Sequence, residues 1–255
     1  MQLDFTLKKY EQLCRSVLAA RVGTCTISEF LSSAENHKKT VIFRHDVDRN
    51  PLQALFMASV ESKCGIKSTY YFRTKKTVFR PDIIQKINQL GHEIGYHYET
   101  LAECKGDYEK AMSLFIEELQ MFRKICPVTS ISMHGRPLSK FDNRDLWKKY
   151  DFRDHGLLGE CYLSIDYNQV LYLSDTGRTW HPTRYNVRDT VEGQTLPELE
   201  TTAELIQLIQ AGLDRPLCLL THPNRWTDSP FSWGKEWLLD QCINRIKQLL
   251  IWRRR

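Results

Sequence analysis

The stretch "TVIFRHDVDRNPLQALFMASVESKCGIKSTYYFR" (residues 40–73) reads as one complete strand–helix–strand unit. "TVIFR" (40–44) is β-branched and apolar, which predicts a buried strand. Asn50 stands at an N-cap position, Pro51 at the first helical position, and Gly65 stops the helix they open. "STYYFR" (68–73), rich in aromatic and β-branched residues, predicts the next strand. Two strands joined through a helix run parallel. The end of the first strand carries Arg44, His45, Asp46, Asp48 and Arg49. So much charge behind a buried strand calls for a metal ion, a proton to be moved, or both.

The same alternation continues outward. Residues 5–20 and 28–33 have helical spacing. "RPDIIQKINQLG" (80–91) predicts a helix and "EIGYHYE" (93–99) a strand. "DYEKAMSLFIEELQMFRKIC" (107–126) is a long amphipathic helix, followed by the strand "VTSISMH" (128–134). "GECYLSIDYNQVLYLSD" (159–175) predicts two strands meeting at "DYNQ" in a hairpin. "TTAELIQLIQAG" (201–212) returns to helix, "PLCLLTH" (216–222) is a buried strand, and 233–252 a final helix. Repeated strand–helix alternation makes this an α/β chain with a mainly parallel sheet of about six strands, closed or open. No repeat or linker divides it, so one domain spanning 1–255 is expected.

Composition excludes several classes. Hydrophobic residues make up 42% and charged residues 26% of 255, which is ordinary for a globular domain. Net charge is +5, but the closing "WRRR" holds three of the positive charges, so no basic stripe runs through the fold and a nucleic-acid partner is not expected. The eight cysteines are scattered without a CxxC pair and read as reduced thiols. "MQLDFTLKKYEQL" is too polar for a signal peptide, and no apolar run approaches about 18 residues. A cytoplasmic location is expected.

Each polar cluster closes a predicted strand: "HDVD", "HYE", "MHGRP", "LTHP". The C-terminal ends of parallel strands are where sites are built in barrels and open sheets alike. Asp46 and Asp48, two apart on an extended strand, face the same way. Neighbouring carboxylates raise each other's pKa unless a cation compensates. Capping of the helix at Pro51 is the other reading of Asp48. His97 ends its strand with Glu99 on the same face, a histidine–carboxylate pairing suited to zinc. His92, at the entry to that strand, reads as a hydrogen-bonded structural histidine. "SMHGRPLS" supplies His134 and Arg136, and "LLTHPNRW" supplies His222. "SDTGRTWHP" adds Asp175, Arg178 and Trp180: a carboxylate for a histidine and an indole face for a sugar ring, with a core role as the alternative for Trp180. The charges of "KFDNRDLW" (140–147) read as scaffold in a loop entering a short helix.

The order of these motifs resembles the polysaccharide deacetylase family, whose NodB-homology domain is a distorted barrel of parallel strands with outer helices. "FRHDVD" is similar to its opening aspartate pair, "STYYFRT" to its next strand, and "GHEIGYH" matches its histidine motif letter for letter. "MHGRP" and "LTHP" resemble its arginine–proline loop and its closing histidine. The likeness covers roughly residues 38–225. It implies a distorted (β/α) barrel of six to seven strands and a metal-dependent sugar N-deacetylase acting on a surface polysaccharide or lipid-linked precursor. The implied cofactor is a divalent metal, zinc foremost, with cobalt, manganese or nickel as substitutes. Asp46 would be the base, Asp48 a ligand, His97 a ligand and His222 the general acid, with the two aspartate roles open to exchange. The family's second metal histidine falls where this chain has Leu101, so a third donor must come from His134 or Glu99. Arg136 would hold Asp46 ionised or bind a substrate phosphate; Asp175, Arg178 and Trp180 are further substrate-side candidates. A non-catalytic carbohydrate-binding protein on this scaffold, or a metal hydrolase of another bond, are the competing readings. The helix 233–255, apolar at helical spacing (Trp237, Leu238, Ile243, Ile246, Leu249, Leu250) and basic at its end, either docks on the domain or lies on an anionic inner-membrane surface.

Overall fold

The computed structural model describes residues 3–33, 39–136, 138–182, 184–187, 191 and 197–254. Three elements open the chain: α1 (Leu7–Ala19), β1 (Gly23–Cys25) and α2 (Ile27–Ser32). Thr6 caps α1 by accepting from the Lys9 N–H, and Thr26 and Glu29 form a capping box on α2. The unit read from residues 40–73 folds as expected into β2 (Thr40–Val47), α3 (Pro51–Lys63) and β3 (Thr69–Phe72). All eight residues of β2 are buried, so it is the central strand. Asn50 precedes α3 in a left-handed conformation (φ 50°) and makes no side-chain cap.

Then come α4 (Pro81–Gln89), β4 (Glu93–Tyr98), the short α5 (Thr100–Glu103), α6 (Tyr108–Arg123) and β5 (Ser130–Met133). Two 3-10 turns (Asn143–Lys148, Phe152–His155) lead to β6 (Gly159–Glu160) and β7 (Leu171–Ser174). The chain closes with α7 (Thr202–Ala211), β8 (Leu217–Thr221), a 3-10 turn (Pro223–Arg225) and α8 (Pro230–Arg254).

Every strand pairing is parallel, and the sheet runs β6-β5-β4-β3-β2-β8-β7, with β1 beside the start of β2. The sheet curls into a half-barrel with helices outside, which is the expected α/β distorted barrel. Alternation along the strands sorts the side chains. Arg44 of β2 bonds Ser132 of β5 and Tyr162 beyond β6, and lies over Tyr71 of β3, so these point into the enclosed interior. His45, one residue on, points outward and meets Glu61 of α3 at 2.7 Å.

The expected hairpin over 159–175 is corrected. β6 pairs with β5 and β7 with β8, at opposite ends of the sheet. The segment between them spans the opening of the half-barrel, and the Tyr162 and Tyr172 hydroxyls meet across it at 3.3 Å. The turn signal at "DYNQ" was real, but curling the sheet brings its two edges face to face and side chains fill the gap.

The final helix docks through polar side chains and leaves much of its apolar spacing exposed. Among its described side chains Asp240 and Asn244 are buried, while Leu238, Ile246, Leu249 and Trp252 are exposed. No described helix is long and apolar enough to cross a membrane. All eight cysteines are free.

Candidate metal centre and cleft

The parallel topology delivers the polar clusters to one rim. Asp46 and Asp48 end β2, His97 and Glu99 end β4, His134 follows β5, Asp175 follows β7 and His222 follows β8. A cleft of 730 Å³ opens there, lined among others by Asp46, Asp48, His97, His134 and His222.

Asp48, His97 and His134 converge, each presenting a ligand atom within 4.8 Å of the others. The Asp48 Oδ1 lies 3.4 Å from Nε2 of His97 and 3.5 Å from Nε2 of His134. Donors held tetrahedrally at about 2.0 Å from zinc stand about 3.3 Å apart, so the spacing suits that ion. Proton bookkeeping points the same way. His97 donates Nδ1–H to the Ser132 carbonyl at 2.9 Å, because a carbonyl can only accept. His134 turns its Nδ1 to Glu99 Oε2 at 3.2 Å, and the ionised carboxylate likewise accepts. With each Nδ1 turned to an acceptor, both Nε2 atoms point at a carboxylate oxygen and are the atoms the rings would offer to a cation. That oxygen, Asp48 Oδ1, is covered and has no hydrogen-bond partner. Two imidazole nitrogens and a carboxylate oxygen facing one another fit a divalent cation. The Oδ1 of Asp48 is therefore not spent on capping α3.

Electrostatics agree. Burial pushes the His97 imidazole down, but Asp46 and Asp48 beside it more than offset this and raise its pKa. Burial pushes the Asp48 carboxyl up, yet His134, His97 and His222 hold it well below the usual carboxylate range. The pocket favours positive charge.

Asp46 sits beside this trio, with Oδ2 3.5 Å from Nε2 of His97. Both its oxygens are held by Arg44, Nε to Oδ1 at 3.0 Å and Nη2 to Oδ2 at 2.8 Å. Burial raises the Asp46 carboxyl, and Arg44, with His97 and His222, brings it below its ordinary value. His222 turns Nδ1 to Asp175 Oδ1 at 2.7 Å and its backbone N–H to Oδ2 at 2.9 Å, leaving Nε2 toward the cleft, 3.9 Å from Asp48. Asp175 also accepts from Arg225 Nη1 at 2.9 Å and from the Trp226 indole at 2.8 Å.

Four sequence candidates stand outside both the converging trio and the cleft lining. Glu99 is not among the converging donors: it stands behind His134 and takes Arg73 (Nε to Oε1, 2.9 Å) and Lys75 (3.4 Å) on its other oxygen. Asp175 is fully buried and orients His222 instead of facing a substrate. Arg178 is drawn away by Asp240 of α8, 3.0 Å from its Nε, and stacks over Trp233. Trp180 has no exposed surface; its indole donates to Thr202 and packs with Phe5 and Trp226 in the core under α1 and α7. Arg136 does reach the cleft wall, 42% exposed at the side chain, and it is Arg44 that holds Asp46. Leu101 lies in α5, 1% exposed in the hydrophobic core.

Arg44, Arg225 and Asp240 are site residues that motif reading passed over. For Arg44 the signal was present: 44, 46 and 48 share one strand face. For Arg225 and Asp240, contributed by a 3-10 turn and a distant helix, no local pattern existed.

No protein-family model matches the sequence, and no curated protein matches it. Among solved structures, the chain is similar to a family 4 carbohydrate esterase pseudoenzyme from Bacillus anthracis (15% identity, TM-score 0.47), spanning 84% of this chain and 63% of that one. It is also similar to a family 4 carbohydrate esterase from Bacillus anthracis (12%, TM-score 0.43, 91% and 84%). A family 4 carbohydrate esterase from Bacillus subtilis gives 14%, TM-score 0.40, 93% and 84%. Roles for residues of this chain rest on its own geometry.

Proposed function

We propose that this chain is a metal-dependent hydrolase that removes an acyl group, acetyl foremost, from a sugar amine. One observation carries the reading: the donor atoms of Asp48, His97 and His134 face one another, flanked by an arginine-held carboxylate and a carboxylate-held histidine. A divalent cation bound by those three donors supplies Lewis acidity at the acyl carbonyl and a lowered pKa for water. Asp46, kept ionised by Arg44, accepts the proton of the attacking water. His222, its Nδ1 fixed on Asp175, delivers a proton from Nε2 to the departing amine. The cleft volume suits a ligand of one or a few sugar units.

Release of acetate from N-acetylglucosamine oligomers, with zinc, cobalt or manganese added, tests the reaction. Turnover that disappears in Asp46→Asn while bound metal stays supports the assignment; no release with any of these ions rejects it. The non-catalytic reading drew on the absence of a histidine at Leu101, and with His134 positioned as third donor it loses that support.

The substrate setting we favour is the cytoplasmic synthesis of a surface polysaccharide or lipid-linked glycan, with α8 resting on an anionic bilayer. What supports the contact is the exposed stripe Leu238, Ile246, Leu249 and Trp252 on a helix whose sequence ends in three arginines. Co-sedimentation with phosphatidylglycerol vesicles, lost in Leu249→Glu/Trp252→Glu, is the expected result; no sedimentation of the wild type removes the proposal.

A further inference from the structure

The cleft carries more positive charge than the reaction needs. Seven Lys and Arg side chains line it against two carboxylates, Asp46 and Asp48. Some of this charge is spent. Arg73 is held by Glu99, and Arg225 by Asp175 and Asp240. Lys105, Arg136 and Lys140 are different. Among the described residues no carboxylate pairs with Lys105 or Lys140, and Arg136 has only Glu99 at 3.7 Å, an oxygen already engaged with His134. Nor is Arg136 needed to keep Asp46 ionised, since Arg44 does so from inside the barrel.

The fold gathers these cations. Gly106, in a left-handed turn (φ 87°), lies against the Phe141 ring so closely that a Cβ there would stand 2.2 Å from it. Phe141 follows Lys140, and Gly106 follows Lys105, so this contact draws the two lysines to one wall, with Arg136 in the intervening loop. Like charges collected along the exposed wall of a cleft repel one another and set up a field that anions answer.

We propose that the cleft selects a sugar bearing a negatively charged group, phosphate or carboxylate, held by Lys105, Arg136 and Lys140. The proposal rests on the sugar-hydrolase reading for what is done to the ligand, but not for how the ligand is held. Arginine offers a bidentate fork to such a group and the lysines point charges.

Calorimetric titration of the zinc-loaded full chain with N-acetylglucosamine 1-phosphate, N-acetylglucosaminuronic acid and neutral N-acetylglucosamine decides it. One of the two anionic sugars is expected to bind at least about tenfold tighter than the neutral one, and the tighter of the pair identifies the group. Arg136→Gln/Lys140→Gln is expected to bring all three within about twofold, and each single change to remove part of the preference, which keeps the test readable if the double variant folds poorly. Equal affinities in the wild type overturn the proposal. So does a preference that persists in the double variant, because the anion would then be held by groups other than Arg136 and Lys140. Anion preference without acyl release would sink the hydrolase reading and leave this one standing; turnover without preference would do the reverse.

Discussion

Arg44 grips Asp46 from two residues earlier on the same strand, with both carboxylate oxygens taken by one guanidinium at 3.0 and 2.8 Å. Arg44 is wholly enclosed, and Asp46 is open only where it meets the cleft. The guanidinium is further held by Tyr162, whose hydroxyl accepts at 3.2 Å and whose ring lies 4.6 Å beneath it. A buried carboxylate stays ionised only beside such a partner. The strand therefore brings its own counter-charge into the barrel, and the loop arginine after β5 is released for other work.

Removing one member of that pair leaves an uncompensated buried charge. Arg44→Met is expected to lower unfolding free energy by about 3–5 kcal/mol, read by urea denaturation. Arg44→Met/Asp46→Leu should regain a large part of the loss; strictly additive losses would show that the two groups do not act as a pair.

Asp175 orients His222 without touching the cleft. Asp175→Asn is expected to cut kcat about 100-fold while metal content and KM hold, because the imidazole loses its anchor and its tautomer. An unchanged kcat would mean that His222 needs no orientation from Asp175, and a parallel loss of metal would point to structural damage instead.

Glu99 would act on a metal held by the trio through His134, whose Nδ1 faces its Oε2. Glu99→Gln is expected to weaken zinc affinity about 10- to 100-fold without abolishing binding, measured by competition with a chromophoric chelator. Complete loss of zinc would restore Glu99 as a direct ligand.

Acid sensitivity should come from behind the sheet. Glu61 is buried among His45, His92, Ser68, Tyr10 and Tyr70. Burial raises its carboxyl, but His45 above all brings it from 4.5 to about 2. Its folded value lies below its unfolded one, so its stabilisation is complete above about pH 4.5 and drains away as pH falls toward 2, on the order of 3 kcal/mol in all. His92, lowered by burial, begins the decline earlier, since the unfolded chain protonates it more readily. Urea unfolding from pH 7 to 3 should show this slope, and Glu61→Gln should flatten it. A wild-type stability that stays level to pH 3 would contradict the assignment.

Local periodicity carried most of the fold. The unit 40–73, the strands at 93–99 and 216–222, and the helices closed by Gly65 and Gly91 all stand where alternation and caps put them. What periodicity could not say is which strands are neighbours, and so β6 and β7 were expected as a hairpin although they form opposite edges. The rim residues were legible because parallel strands send their C-terminal ends to one side. Their division of labour was not. Glu99 and His134 are equally plausible donors by position, and only the ring orientation, Nδ1 toward Glu99 and Nε2 toward Asp48, separates them. Arg178 and Trp180 were substrate-side candidates, Trp180 with a core role as the alternative, and the partners that bury them, Asp240 and Thr202, lie 62 and 22 residues away.

Metal stoichiometry tests the account most directly. Purified full-length protein equilibrated with zinc and dialysed should hold one ion per chain, while Asp48→Ala, His97→Ala and His134→Ala, each folded by circular dichroism, should hold none. Wild-type protein that retains no zinc, cobalt or manganese, or a His134→Ala variant that binds as the wild type does, would contradict it.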